Sequence, residues 1–311
     1  MSMADPFFAL AAALAEQMGR GELRAVQPLP MEPGEEGYSG AKLVRLRCVY
    51  AGGETGSFVC KYTSPAERAA LQALTEQGRG YTPHAYSEAA GRQEDGWCVM
   101  EDVRPCEPVP RSLSWKKQVA AALAGVHTDN LAGGGGRALP LPHAEEAYWV
   151  RVTTALSVDH FERQCAEDGR FAAEYGSLLP RLRRRGERFV QDMTALCREG
   201  TSLTLTHGDL QNREGDHVRC RRGRPMILDW GFTRYAPFYI DLVDYFTQEE
   251  AFLYWEEMRR LGLPLSRSDF AERFRLASAY PGFIYLYPAL ASFRRGSAEK
   301  LNRLLSLLCG D

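Results

Sequence analysis

The spacing of apolar and polar positions predicts a β-rich first third and a mostly helical remainder. Phe7 to Leu14 is an apolar stretch after Asp5-Pro6, an N-cap with proline at the first helical position. With Gly19 as a stop, residues 6–18 read as a helix. From Gly34 to Lys61 the pattern turns to β. Gly34, Gly37 and Gly40 punctuate a turn that holds Ser39, and Lys42 to Tyr50 alternates imperfectly through Leu43, Leu46 and Val49. After a Gly-rich turn at 51–56, Ser57 to Tyr62 is the next strand. Ser64-Pro65-Ala66-Glu67 opens a helix reaching Gln77, with Ala70, Leu71 and Leu74 as its buried stripe. Ser64 at N-cap and Glu67 at N3 have the form of a capping box. Short strands follow at 82–86 and 97–100. Ser114 to Thr128 is a helix with Val119, Leu123 and Val126 on one face. Residues 144–200 and those after Asp241 read as helices, the last from Leu301 to Leu308. No internal repeat or low-complexity tail interrupts the series.

Composition narrows the classes. The 311 residues suffice for two lobes, each with its own core. A net charge of −2 provides no global field for nucleic acid or a membrane surface. The basic run Arg181, Arg183, Arg184, Arg185 and Arg188 has no interleaved aromatics and reads as a solvated helix face. The eight cysteines include no C-x-x-C pair, so they read as reduced thiols of a cytoplasmic protein. No apolar run reaches the ~18 residues of a membrane span. Phe7 to Leu14 lacks the basic flank of a signal peptide.

The chemistry concentrates between Thr206 and Tyr245. Asp209 stands in His207-Gly208-Asp209-Leu210, directly after the apolar run Leu203-Thr204-Leu205. Asp229 stands in Ile227-Leu228-Asp229-Trp230, after a second run. Asp216 to Cys220 and Pro225 to Leu228 read as two strands around a turn at 221–224. Such a hairpin can bring both acids together, one to accept a proton and one to hold a metal, the division of labour that phosphoryl transfer needs.

His-Gly-Asp-Leu, a hairpin, Leu-Asp-Trp and then Pro237-x-x-x-Asp241-Leu242 resembles the aminoglycoside phosphotransferase and choline kinase family, a small-molecule branch of the protein-kinase-like fold. The resemblance implies an α+β, bilobal architecture: a small β-rich N-lobe over residues 1–103 and a larger, mostly helical C-lobe over 104–311. It implies an ATP- and Mg²⁺-dependent phosphotransferase acting on a small-molecule hydroxyl. Asp209 would be the catalytic base, Asp229 would hold the metal, and Lys61 would anchor the phosphates beneath Gly37, Ser39 and Gly40. Glu101 and Val103 would flank the adenine at the hinge, and Asp241 would brace the catalytic loop. Glu67 matches the helix glutamate that pairs with the lysine, a role that competes with the capping box. His127 matches a packing position in the large lobe.

One departure stands out. The kinase catalytic loop places Asn five residues after its Asp, and here that position is Glu214. Asn212, whose amide oxygen matches the usual ligand, is the preferred second metal donor, with Glu214 as the alternative. The same departure keeps open a non-catalytic nucleotide-binding protein on this fold. A protein kinase fits less well, because Asp241 follows Asp229 too closely for a long activation loop. Between Asp241 and Glu257 stand Asp241, Asp244, Glu249, Glu250, Glu256 and Glu257, with no Lys or Arg. They form either a solvated helix face or a site for an amine-bearing alcohol or amino sugar. The motifs do not name the acceptor, separate ATP from GTP or indicate an oligomeric state.

Overall fold

The computed structural model describes residues 6–31, 42–88, 93–132, 138–211, 217–263 and 265–310. Gly37, Ser39, Gly40, Asn212 and Glu214 lie outside the described residues, as does the expected N-cap Asp5. The chain forms two compact units that interleave in sequence. The first takes Met1–Val126, Arg137–Pro142 and His207–Thr233. The second takes His127–Gly136, His143–Thr206 and Arg234–Asp311.

The first unit opens with α1 (Pro6–Gln17), β1 (Leu23–Leu29), β2 (Leu43–Tyr50) and β3 (Thr55–Thr63). Helix α2 (Pro65–Gln77), β4 (Ala85–Tyr86), β5 (Gly96–Glu101) and α3 (Leu113–Asp129) follow, the last residues of α3 from His127 on belonging to the second unit. The strands make a five-stranded antiparallel sheet in the order β1-β2-β3-β5-β4. Leu10, Ala11 and Leu14 of α1 pack on Leu46, Cys48, Phe58 and Cys60 of the sheet. Strand β1 was not anticipated. Its burial runs mostly exposed or half-exposed, so it lacks the apolar alternation that marks a strand, and it pairs with β2 through a register shift near its start. Helix α3 is capped by Ser112, whose hydroxyl accepts the Trp115 N–H at 3.2 Å, two residues before the expected start at Ser114.

Beside β5 a buried ion pair ties the sheet together. Arg45 Nε of β2 donates to Asp102 Oδ2 at 3.0 Å, with side chains only 8% and 4% exposed. Burial works against the Asp102 charge. The N–H and guanidinium of Arg104 and the Ser57 hydroxyl more than offset it, so the carboxyl lies below its usual value. A depressed folded-state pKa gives stability that is present above the unfolded value of about 4 and lost as pH falls through the lower folded value. Asp102→Asn is expected to cost about 1.5–3 kcal/mol at neutral pH, the range for hydrogen bonds to charged groups. The deficit should shrink below about pH 4. Urea titrations at pH 7 and pH 3.5 measure both, and a pH-independent deficit would mean that the charge plays no part.

Later in the first unit, β7 (Val218–Arg221) and β8 (Arg224–Ile227) form the hairpin expected between the two acids, each one or two residues displaced from its predicted start. Arg222 and Gly223 both have positive φ, 52° and 70°, as a two-residue turn between antiparallel strands requires.

The second unit begins with α4 (Glu146–Thr153), which continues through a π-helical turn at Thr154–Val158. Then come α5 (Asp159–Glu167), α6 (Gly169–Tyr175) and α7 (Leu179–Glu199). The arginine run lies on α7 opposite Leu182, Phe189 and Met193, which are buried, so it is a helix face. Strands β6 (Leu203–Thr206) and β9 (Arg234–Pro237) pair antiparallel across this unit. Helices α8 (Tyr239–Tyr245), α9 (Gln248–Arg260), α10 (Arg267–Ala277), α11 (Tyr280–Ile284), α12 (Leu286–Arg294) and α13 (Glu299–Cys309) complete it. His127 is a core residue of this unit. Its Nδ1 meets the Tyr254 hydroxyl at 2.8 Å and its Nε2 meets Asp241 Oδ2 at 3.1 Å, with His127 and Asp241 fully buried. No helix among the described residues is long and apolar enough to cross a membrane.

Candidate active site

Strand β3 delivers Lys61 to one face of the first unit, where the ammonium meets two acids from distant parts of the chain. Lys61 Nζ donates to Glu67 Oε1 at 2.7 Å and to Asp229 Oδ1 at 2.6 Å. Glu67 lies on the first turn of α2, and its second carboxylate oxygen accepts the Thr63 hydroxyl. The capping box is only half formed, and the carboxylate takes the lysine-pairing role. The Glu67 backbone N–H donates to the Ser64 hydroxyl at 3.3 Å, which caps α2, while its carboxylate turns to Lys61. Burial opposes the Lys61 charge, but Glu67 and Asp229 outweigh it and hold the ammonium above its ordinary pKa. Burial likewise penalises the Asp229 carboxylate; Lys61, His217 and His207 outweigh it, so Asp229 lies below the ordinary carboxylate value.

The backbone around Asp229 is held from both sides. The Leu228 N–H donates to the His217 carbonyl at 2.8 Å, extending the hairpin ladder by one bond. The Leu228 carbonyl accepts His207 Nε2 at 2.7 Å. His207 Nδ1 in turn accepts the Asp209 N–H at 3.2 Å. A carbonyl only accepts and an amide N–H only donates, so the His207 proton is on Nε2. Asp229 then adopts φ of 61°, a left-handed conformation that Asp tolerates better than most residues and that clusters at functional sites. A Cβ on Gly231 would come within 3.3 Å of Asp229 Oδ1, so the glycine leaves space beside the carboxylate.

Asp209 is mostly buried and receives the Gln211 side-chain amide on Oδ1 at 2.8 Å. Between Asp209 and Asp229 lies a residue the sequence reading passed over. His217 has Nε2 3.7 Å from Asp209 Oδ2 and Nδ1 3.8 Å from Asp229 Oδ2. It stands one residue before β7, where its carbonyl adds one bond to the hairpin while its ring faces the two acids. No signal in the residues set it apart, since His217 directly precedes a strand, Val218–Arg221, in which apolar and basic residues alternate.

The two expected hinge residues make contacts within the first unit. Glu101 accepts Arg221 Nη1 at 2.6 Å, and its N–H donates to the His84 carbonyl at 2.8 Å. Val103 is buried, with its carbonyl 3.6 Å from Cys106 Sγ. In the second unit the acidic run from 241 to 257 has largely local roles. Asp244 accepts the Tyr285 hydroxyl, Glu250 completes a capping box with Thr247, and Glu257 pairs with Arg260. Glu249 and Glu256 are exposed.

The antiparallel sheet near the N-terminus and the helical C-terminal part are the mixed α+β architecture of protein-kinase-like proteins. Solved structures share the fold at low identity. A choline kinase from Cryptosporidium parvum has a TM-score of 0.60 at 11% identity, over 90% of this chain and 87% of that one. An ethanolamine kinase from Plasmodium vivax gives 0.54 at 9%, over 91% and 80%. An aminoglycoside phosphotransferase from Alicyclobacillus acidocaldarius gives 0.53 at 13%, over 99% and 92%. The chain belongs to the phosphotransferase enzyme family, whose model matches residues 49–266. No curated protein matches it in sequence.

Proposed function

We propose that this chain is an ATP- and Mg²⁺-dependent kinase that phosphorylates a hydroxyl of a small molecule. The observation that carries the reading is the convergence of Lys61, Glu67 and Asp229 within hydrogen-bond distance, with Asp209 on the far side of His217. Residues 1–103 would form the nucleotide lobe and 104–311 the lobe with the catalytic loop and the acceptor site.

Asp209 would accept the proton of the attacking hydroxyl. Its Oδ1 accepts the Gln211 side-chain amide at 2.8 Å, which helps to fix the carboxylate for that role. Lys61 would anchor the phosphates, with Glu67 holding the ammonium in place. Among the described residues no group of three or more His, Cys, Asp or Glu side chains encloses a metal ion. Mg²⁺ in nucleotide sites takes most of its ligands from water and phosphate. Asp229 would supply the carboxylate; a bound divalent cation there would neutralise charge on the transferred phosphoryl group.

Within the acceptor class, amino sugars and amino alcohols come first, because the run 241–257 contains six acids and no Lys or Arg. The local partners of Asp244, Glu250 and Glu257 make neutral alcohols necessary companions in any screen. The test is ADP formation with ATP and Mg²⁺ against amino sugars, amino alcohols, nucleosides and sugars. Acceptor-dependent turnover with at least one class is expected. Nucleotide binding without turnover on any acceptor would favour the non-catalytic reading.

A further inference from the structure

His217 is the most unusual feature of the site. The ring is mostly buried, 14% exposed, and lies between two carboxylates with one nitrogen facing each. At 3.7 and 3.8 Å neither contact is a hydrogen bond. Among the described residues, neither ring nitrogen of His217 has any hydrogen-bond partner. His207, the neighbouring imidazole at 5.7 Å between centroids, has both nitrogens occupied. A space lined by two carboxylates draws a cation.

The distance argues for what fills the gap. Two donors that each ligate one ion at about 2.1 Å stand ~3–4 Å apart, depending on the angle at the metal. The separation between His217 Nδ1 and Asp229 Oδ2 falls in that range and beyond the range of a direct bond. Asp229 Oδ1 is engaged by Lys61, so Oδ2 is the oxygen turned to the ring. The His217 backbone is fixed as well, because its carbonyl accepts the Leu228 N–H one residue before Asp229.

We propose that His217, through Nδ1, is the second protein ligand of the nucleotide-bound divalent cation, beside Asp229. This inference rests on the proposed nucleotide-dependent function and replaces both Asn212 and Glu214 as that ligand. Imidazole nitrogen suits Mn²⁺ and later first-row ions better than Mg²⁺, which demands oxygen donors. The site therefore favours Mn²⁺ over Mg²⁺ more strongly than an all-oxygen site does.

The test uses the full chain with Mn²⁺ and a non-hydrolysable ATP analogue. Electron spin-echo modulation is recorded on protein carrying ¹⁴N- or ¹⁵N-histidine, alongside Mn²⁺ and Mg²⁺ titrations. In the wild type, a nitrogen coupling that changes with the histidine isotope is expected. It should be absent in H217A and H217N. The Mn²⁺ Kd should rise at least as much as the ~10–100-fold seen when a metal ligand's outer partner is lost. H217N should move the Mn²⁺/Mg²⁺ affinity ratio toward Mg²⁺. A wild-type ternary complex without nitrogen coupling overturns the assignment, and so does a coupling that survives in H217A; in both cases the kinase reading stands. Failure of the wild type to bind the analogue with either ion overturns both. If H217A fails to fold, H217N supplies the same comparison, and a wild-type spectrum without nitrogen coupling overturns the assignment by itself.

Discussion

Replacing Asp209 with Asn is expected to lower kcat by ~10²–10⁴-fold, the range that a positioned acid or base contributes. Asn has the same size and still offers Gln211 a carbonyl oxygen, so the loop geometry at 2.8 Å is retained. The Asp209 N–H, which meets His207 Nδ1 at 3.2 Å, is unaffected by the side chain. What is lost is the ability to take a proton from the acceptor hydroxyl. The nucleotide contacts proposed for Lys61 and Asp229 do not run through Asp209, so the Kd for ATP should stay within about twofold while turnover collapses. Steady-state kinetics on the best acceptor, with nucleotide binding measured separately, distinguish these effects. Near-normal turnover would remove Asp209 from the proton-accepting role.

The second large effect is expected at Asp229. Asp229→Asn leaves an oxygen facing Lys61 but removes the charge that helps to hold the ammonium, whose bond to Oδ1 is 2.6 Å. The loss should cost ~10²–10³-fold in kcat, as removal of an electrostatic stabiliser does, and should weaken divalent-cation binding in the presence of nucleotide. The same variant has a pH signature. Lys61 has a raised folded-state pKa, so its contribution to stability is full below the unfolded value of about 10.4 and is lost as pH rises through the folded one. Asp229 has a lowered pKa, so its contribution is present above about 3.9 and fades as pH falls through the folded value. The cluster is at full strength between these limits. Thermal midpoints of wild type and Asp229→Asn should differ most at neutral pH and converge below about pH 4. Unchanged cation binding, or a midpoint difference that persists into acid, would mean that Asp229 contributes neither as metal donor nor as partner of Lys61.

Much of the frame was legible because it is encoded over short distances. Helix α2 was readable from Ser64, Pro65 and the stripe Ala70, Leu71 and Leu74, since a cap and a 3.6-residue period involve only neighbours along the chain. The hairpin between the two acids was readable from two apolar runs around Gly223. The α+β, protein-kinase-like class followed from motif order, and the match over residues 49–266 agrees with it.

What the sequence left undecided were choices between partners far apart in the chain. Lys61 shares its ammonium between Glu67, six residues on, and Asp229, 168 residues away, and only the fold brings that second acid to it. Asp102 gave no sign of Arg45, 57 residues away, because an ion pair leaves no periodic trace. Strand β1, mostly exposed or half-exposed, exists through its ladder with β2 and not through its own pattern. His217, one residue before β7, has its ring facing Asp209 and Asp229, a placement that no periodicity marks. Local sequence sets backbone preference and periodicity, whereas the partner of a charged or polar side chain depends on which distant segment packs against it. Here that means which acid meets Lys61 and what lies between the two aspartates.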